Sequence, residues 1–358
     1  MKIWAFSIAA SMFVLAACSD EENLNVPSVP CDGTVTFEIS AVNEPSTSRA
    51  PLYSQEATQH VTRVNIYAFL FNPSTSSYMY QKTYQLTDWS DGTTFKRFAV
   101  PDNDKLPAGN YKFLAVGRDA TDQWNVTNPT SATSYGDMLA SVTSTGQETE
   151  IFSGSADATI TSQGARVSIE MTRKVAGILG YFKNVPQQLN GQVVQYLRLS
   201  VSNSNQKLNL TTGTGINTTP SSYNVMNIDL SGQRVENGVY VGNDLSAQGV
   251  VKVANSQLDG MFYIPVGGVT MTLGLYSASG TAIKEWVVKD SANGNATTFD
   301  ILANHFYSLG TKGVAGSTNG GTPGDSGDDD NPIDLLTDQN IVITISPAWS
   351  LIHNLVIQ

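Results

Sequence analysis

Charge is scarce in this sequence. Only 14% of its 358 residues are charged, and Asp and Glu (31) outnumber Lys and Arg (20), for a net charge of −11. No basic patch is visible, which excludes nucleic acid as a partner, because phosphate contacts need clustered Lys and Arg. Histidine is scarcer still. His60, His305 and His353 lie far apart with no HExxH or other ligand spacing, so no metal site is expected. There is no GxSxG turn and no phosphate-binding glycine loop, and no carboxylate pair stands out as an acid and base. No catalytic residue and no cofactor are expected, and the chain does not read as an enzyme. Cysteine occurs twice, at Cys18 and Cys31. Nothing beside Cys31 would lower its pKa, so a catalytic thiol is not expected there. No segment is apolar for the roughly 20 residues that a spanning helix needs.

What is present begins at the N-terminus. Lys2 precedes an apolar stretch from Ile3 to Leu15, the arrangement of a secretory signal over residues 1–17. It ends in Leu15-Ala16-Ala17-Cys18, which resembles the bacterial lipobox. Cys18 is then the expected lipidation site and the first residue of the mature chain. Two or more acyl chains suffice for stable anchoring, so Cys18 would tie the protein to a membrane. With Cys18 acylated, Cys31 has no partner, and no disulfide framework is expected. Residues 18–31, with Ser19-Asp20-Glu21-Glu22, read as an acidic tether.

Beyond the tether the dominant period is two, the strand period. Val35, Phe37 and Ile39 alternate with Thr34, Thr36, Glu38 and Ser40, as in a strand with one buried face. Val64 to Phe71 is apolar on nearly both faces, as in a central, doubly covered strand. Further strands are expected at 111–116, 158–160, 167–171, 175–182, 196–201, 261–264, 271–276, 283–288 and 306–309. Tyr135 to Val142 is the one segment with a helical look. Hydrophobic residues at 41% exclude a disordered chain. Short strands parted by Gly, Asn, Ser and Pro turns define an all-β chain of two tandem β-sandwich domains, 32–172 and 173–312. Trp89, Trp124 and Tyr78 could stack on sugars, although such aromatics are more often core or junction packing.

Residues 313–332 (GVAGSTNGGTPGDSGDDDNP) form a flexible linker. Asp325, Asp328, Asp329 and Asp330 lack the glycine and distal glutamate of a calcium loop, and a solvated linker explains them better. Residues 333–358 turn strand-like again, with Ile341, Ile343 and Ile345 alternating before Trp349, Leu351 and Ile352. A terminal strand on a leash can pack on its own domain or add itself to another molecule's sheet.

Four segments resemble the fimbrillins, subunits of type V pili of Bacteroidota. They are 34–40 followed by Arg49-Ala50; 61–71; Ile151-Phe152-Ser153-Gly154 with 172–178; and 304–310 with Asp334-Leu335 and 347–354. The acidic residues after Cys18 also resemble the surface-export signal of lipoproteins from that phylum. The resemblance implies two transthyretin-like β-sandwiches with a C-terminal strand extension. It implies Arg49-Ala50 as a proteolytic processing site, 34–40 as a removable first strand, and 341–357 as a donor strand, with Ile341, Ile343, Ile345, Trp349, Leu351 and Ile352 filling a neighbour's groove. The expected function is that of an adhesive pilus subunit at the cell surface and outer membrane, partnered by other pilin subunits. The alternatives are an uncleaved anchor subunit and a non-polymerising surface lipoprotein that binds a glycan or a host protein.

Overall fold

Strand β2 (Arg63–Asn72) shows how the fold is layered. Its side chains alternate between two hydrophobic clusters: Val64, Ile66 and Ala68 enter one, Tyr67 and Phe69 the other. Alternate side chains of a strand point to opposite faces, so a strand with apolar residues on both must be covered on both. The same holds for β5 (Gly109–Arg118), which sends Tyr111, Phe113 and Ala115 one way and Leu114 and Val116 the other. The structure is a computed structural model describing residues 33–41, 61–87, 89, 95–144, 146–312, 330–338 and 340–346.

The first half of the chain builds a path of seven strands. Besides β2 and β5 these are β1 (Val35–Ala41), β3 (Ser77–Leu86), β4 (Phe95–Ala99), β8 (Ile151–Ile160) and β9 (Ala165–Arg173), in the order β3-β2-β5-β8-β9-β1-β4. The short β6 (Trp124–Val126) and β7 (Leu139–Val142) lie outside it. The path folds over on itself where β8 meets β9 at only the Phe152–Arg173 and Ser153–Thr172 pairs. Phe37 of β1 therefore packs across onto Phe113 of β5, ring centroids 4.9 Å apart, and Tyr84 of β3 at 5.7 Å, although neither strand is its neighbour. That is a sandwich.

The second half repeats the plan. A sheet ordered Ser256–Tyr263, β10 (Ala176–Lys183), Phe306–Leu309, Val342–Ser346, Lys289–Asp290 faces one ordered Thr219–Asp229, Tyr196–Ser204, Met271–Tyr276, Ala282–Val287. Ile178 and Phe182 of β10 enter the core between these sheets, while Leu179 and Tyr181 turn towards the first half. There they meet Phe69, Leu114 and Val116, so one apolar cluster joins the halves. A small sheet does the same, since β7 pairs with Lys207–Asn209. The Oγ of buried Ser153 donates to the Leu210 carbonyl at 2.5 Å across the same seam. Arg173 and Glu150, both nearly fully buried, form an ion pair there at 2.6 Å.

Three local expectations need correction. Tyr135 to Val142 is not a helix: a single 3-10 turn, Tyr135–Asp137, closed by a Ser134–Asp137 capping box, leads into β7. Ladder bonds to 207–209 outweigh the weak helical pattern there. β1 is covered on both faces, since Thr36 and Glu38 are buried along with Val35, Phe37 and Ile39. Finally, Asp330 is no solvated linker residue. It is buried against Lys312, Nζ to Oδ1 3.0 Å, and its Oδ2 accepts the Tyr181 hydroxyl at 2.8 Å. Thr311 and Asn331 exchange backbone hydrogen bonds of 2.9 and 2.8 Å beside that pair, so residues 312 and 330 are clamped together.

Candidate functional site: the first and last strands

Strand β1 lies between β9 and β4, parallel to the former and antiparallel to the latter. The register sets Glu38 opposite Arg97 of β4 and Ser168 of β9, with Arg166 two pairs along on the same face. A carboxylate at the centre of an apolar strand, only 7% exposed, must be hydrogen-bonded or neutralised. Both arginines supply this. Arg97 Nε donates to Oε1 at 2.9 Å and its Nη2 at 2.5 Å; Arg166 Nε donates to Oε2 at 2.8 Å and its Nη2 reaches Oε1 at 2.6 Å. The Ser168 hydroxyl adds a bond of 3.3 Å. The Arg166 hydrogen bond, opposed by burial and aided by Arg97, holds the Glu38 carboxyl below its ordinary value of 4.5. Charge-assisted forks of this kind are stronger than neutral bonds, so β1 is locked sideways into both neighbours.

The last strand is held differently. Val342–Ser346 runs antiparallel to Phe306–Leu309 and parallel to Lys289–Asp290. Ile341 and Ile343 are buried in the C-terminal core, and Ile345 packs against it. The Lys289 amide donates to the Ile341 carbonyl at 3.0 Å. No charged side chain belongs to 341–346, and this strand is secured by apolar burial and ladder bonds alone.

Of the residues expected to carry function, Ile341, Ile343 and Ile345 therefore sit together in their own domain. Cys18, Arg49, Ala50, Trp349, Leu351 and Ile352 lie outside the described residues. Trp89 and Trp124 are core residues, and Tyr78 is half-buried under the Lys112 ammonium, 5.1 Å from its ring centre. Among the described residues no group of three His, Cys, Asp or Glu is placed to hold a metal, and no helix is long and apolar enough to cross a membrane. Sequence reasoning missed the partners of Glu38. Arg97 and Arg166 stand 59 and 128 residues from it, and only strand register brings them together.

An all-β chain of packed sandwiches, its first and last strands each seated in a core, is the class these features define. A model of the family of fimbrillin-A associated anchor proteins Mfa1 and Mfa2 matches residues 28–352, and the chain belongs to that family. The family is one of fimbrial anchor proteins, not enzymes. No curated protein matches. Among solved structures the chain is similar to the fimbrial anchor protein Mfa2 from Porphyromonas gingivalis, at 14% identity and TM-score 0.42, covering 77% of this chain and 90% of that one. It is also similar to a protein of Bacteroides thetaiotaomicron described as a candidate adhesin, at 14% identity and TM-score 0.46, covering 78% and 92%. A third, from Parabacteroides distasonis and described as a candidate cell adhesion protein, has 13% identity and TM-score 0.44 over 88% and 96%.

Proposed function

We propose that this protein is a fimbrial anchor: a lipoprotein held in the outer membrane by acylated Cys18, retaining β1 and joining other pilin subunits by strand addition. It acts at the cell surface, at the foot of the fibre. One observation carries the reading. β1 fills its own sandwich and is locked there by Glu38 between Arg97 and Arg166, so the groove a neighbour's strand would enter is already occupied. Family membership supports it. With Ile341 and Ile343 committed to their own core, the donor segment of this anchor is the part after Ser346, with Trp349, Leu351 and Ile352 as its apolar side chains.

The second reading is a subunit cut after Arg49, which would shed the lipid and, in time, β1. The resemblance of Arg49-Ala50 to the family's processing site is what supports such a cut. The N-terminus of the protein recovered from cells decides between them. An acylated Cys18, seen by metabolic labelling with an alkyne fatty acid and lost in Cys18→Ala, is the expected result. A mature chain starting at Ala50 and free of label would overturn the anchor.

A further inference from the structure

Away from both end strands, two adjoining cavities of about 510 and 310 Å³ open between the end of Thr219–Asp229, the loop 241–255 and the start of Ser256–Tyr263. They share Asn243, Leu245 and Lys252 in their walls. Together they fall within the range of small-molecule sites, ~300–1,000 Å³. The loop is built to hold its shape. Gly242 (φ +86°) passes so close to Lys252 and the Ser256 carbonyl that a Cβ would lie 2.8 Å from the ammonium and 2.0 Å from that oxygen. The Val253 amide donates to the buried Tyr181 hydroxyl at 2.7 Å, tying the far side of the loop to β10.

Two half-buried charges face this space without an ionic partner. Lys252 donates to the Ser256 carbonyl at 2.6 Å and, among the described residues, forms no ion pair. Burial lowers its pKa to about 8, with Asp244 opposing the shift. Asp259 accepts backbone amides only, among them Gly260 at 2.9 Å, and burial raises its pKa to about 6. The fold keeps a cation and an anion partly desolvated and pairs neither, the condition in which a ligand gains most by supplying the missing partners. The other charged groups lining the cavities are Arg234, Glu236, Asp244 and Asp229. Arg234 and Glu236 pair with each other, and Asp229 and Asp244 accept bonds from Ser231 and Ser246.

We propose that this double cavity binds a short oligosaccharide bearing a uronic acid, Lys252 taking the carboxylate while Asp259, Asn227 and Asn243 take ring hydroxyls. A simple anion would neutralise Lys252 and leave Asp259 with backbone amides alone; a simple cation would neutralise Asp259 and leave Lys252 with the Ser256 carbonyl alone. A hydroxyl-rich acid serves both, because a carboxylate accepts from two hydroxyls and each amide both donates and accepts. Leu245, Val250 and Val253 give the C–H face of a sugar ring an apolar floor. An amino acid would match the two charges but would leave the amides and most of the volume unused.

Calorimetry on the full mature chain tests this with three probes: trigalacturonate, a neutral galactose trisaccharide and glycine. Trigalacturonate binds, at least tenfold more tightly than the neutral sugar. Lys252→Gln lowers its affinity at least tenfold and leaves the neutral sugar's unchanged. Asp259→Asn weakens both sugars, and neither variant shifts the melting temperature by more than a few degrees. Between pH 7 and pH 9 affinity for the acid falls about tenfold, as Lys252 loses its proton. No heat with trigalacturonate, equal binding of acid and neutral sugars, an unaffected Lys252→Gln or tighter binding of glycine each overturns the proposal. The anchor reading is scored separately, by the mature N-terminus, and survives such a failure.

Discussion

The first and last strands of this protein occupy similar places and are held by different forces. Each sits between two neighbours in a sandwich and points apolar side chains inward. β1 adds a buried carboxylate gripped by two arginines, whereas 341–346 carries no charge. The difference bears on whether one could replace the other. A copy of 341–346 laid in the β1 groove could satisfy the ladder and the apolar core, but it would leave Arg97 and Arg166 with no acid between them. In a groove emptied of β1, a strand with a central carboxylate would fit these arginines better than this chain's own 341–346.

The comparison breaks most visibly if its apolar halves are removed. Phe37→Ala deletes a fully buried ring in contact with Phe113 and Tyr84, and we expect a loss of ~3–5 kcal/mol in denaturant unfolding. Ile343→Ala should cost ~2–5 kcal/mol by the same mechanism. An Ile343→Ala variant as stable as the wild type would show that the last strand does not reside in its own core in solution.

Glu38→Gln is the next effect in size and separates the two strands. It leaves the arginines facing an amide, and a loss of ~1–3 kcal/mol is expected, towards the low end because both guanidinium groups are about a third or more exposed. Hydrogen exchange should quicken at 35–41 and stay unchanged at 342–346. pH sharpens the point. Because the folded Glu38 pKa lies below its unfolded value, its contribution is full above that unfolded value and is lost as pH falls through the folded one. Protection at β1, measured against the intrinsic exchange rate at each pH, should thus fall on acidification below about pH 4, in the wild type and not in Glu38→Gln. The smallest effect is expected in trans. The 50–358 fragment should be raised in melting temperature by a synthetic 33–42 peptide, less by its Glu38→Gln version, and least by a 340–349 peptide. Equal effects from the three would remove the carboxylate from the account of groove selectivity.

Much of the fold was legible because burial on both faces leaves a nearly unbroken apolar run. Val64 to Phe71 and Val175 to Phe182 were readable as strands for that reason, and both prove to separate two cores. β3, β4 and Thr219–Asp229 were not readable. Their outer positions are polar or exposed, as in SYMYQKTYQL and FKRFA, and without a strong alternation they resemble loops. Tyr135–Val142 misled because a capped turn and a short strand can mimic one helical face. The lock on Glu38 was hidden for a different reason. Its acid reads locally as an ordinary solvent-facing residue, and nothing short of register places two arginines from distant strands on it. Asp330 was hidden in the same way, among aspartates that look alike in sequence.

The register of β1 also fixes how the molecule answers tension. Load applied to the chain from the N-terminal side of β1 would reach that strand end-on. β1 is hydrogen-bonded along its length to β9 on one flank and β4 on the other. A pull along its axis strains those bonds together, as in shearing, and cannot open them one at a time like a zipper. The two arginine forks at mid-strand resist the same slip, since moving Glu38 by a single residue turns its carboxylate to the opposite face of the sheet. Drawing β1 out of its sandwich along its own axis would thus break both ladders and the Glu38 forks together.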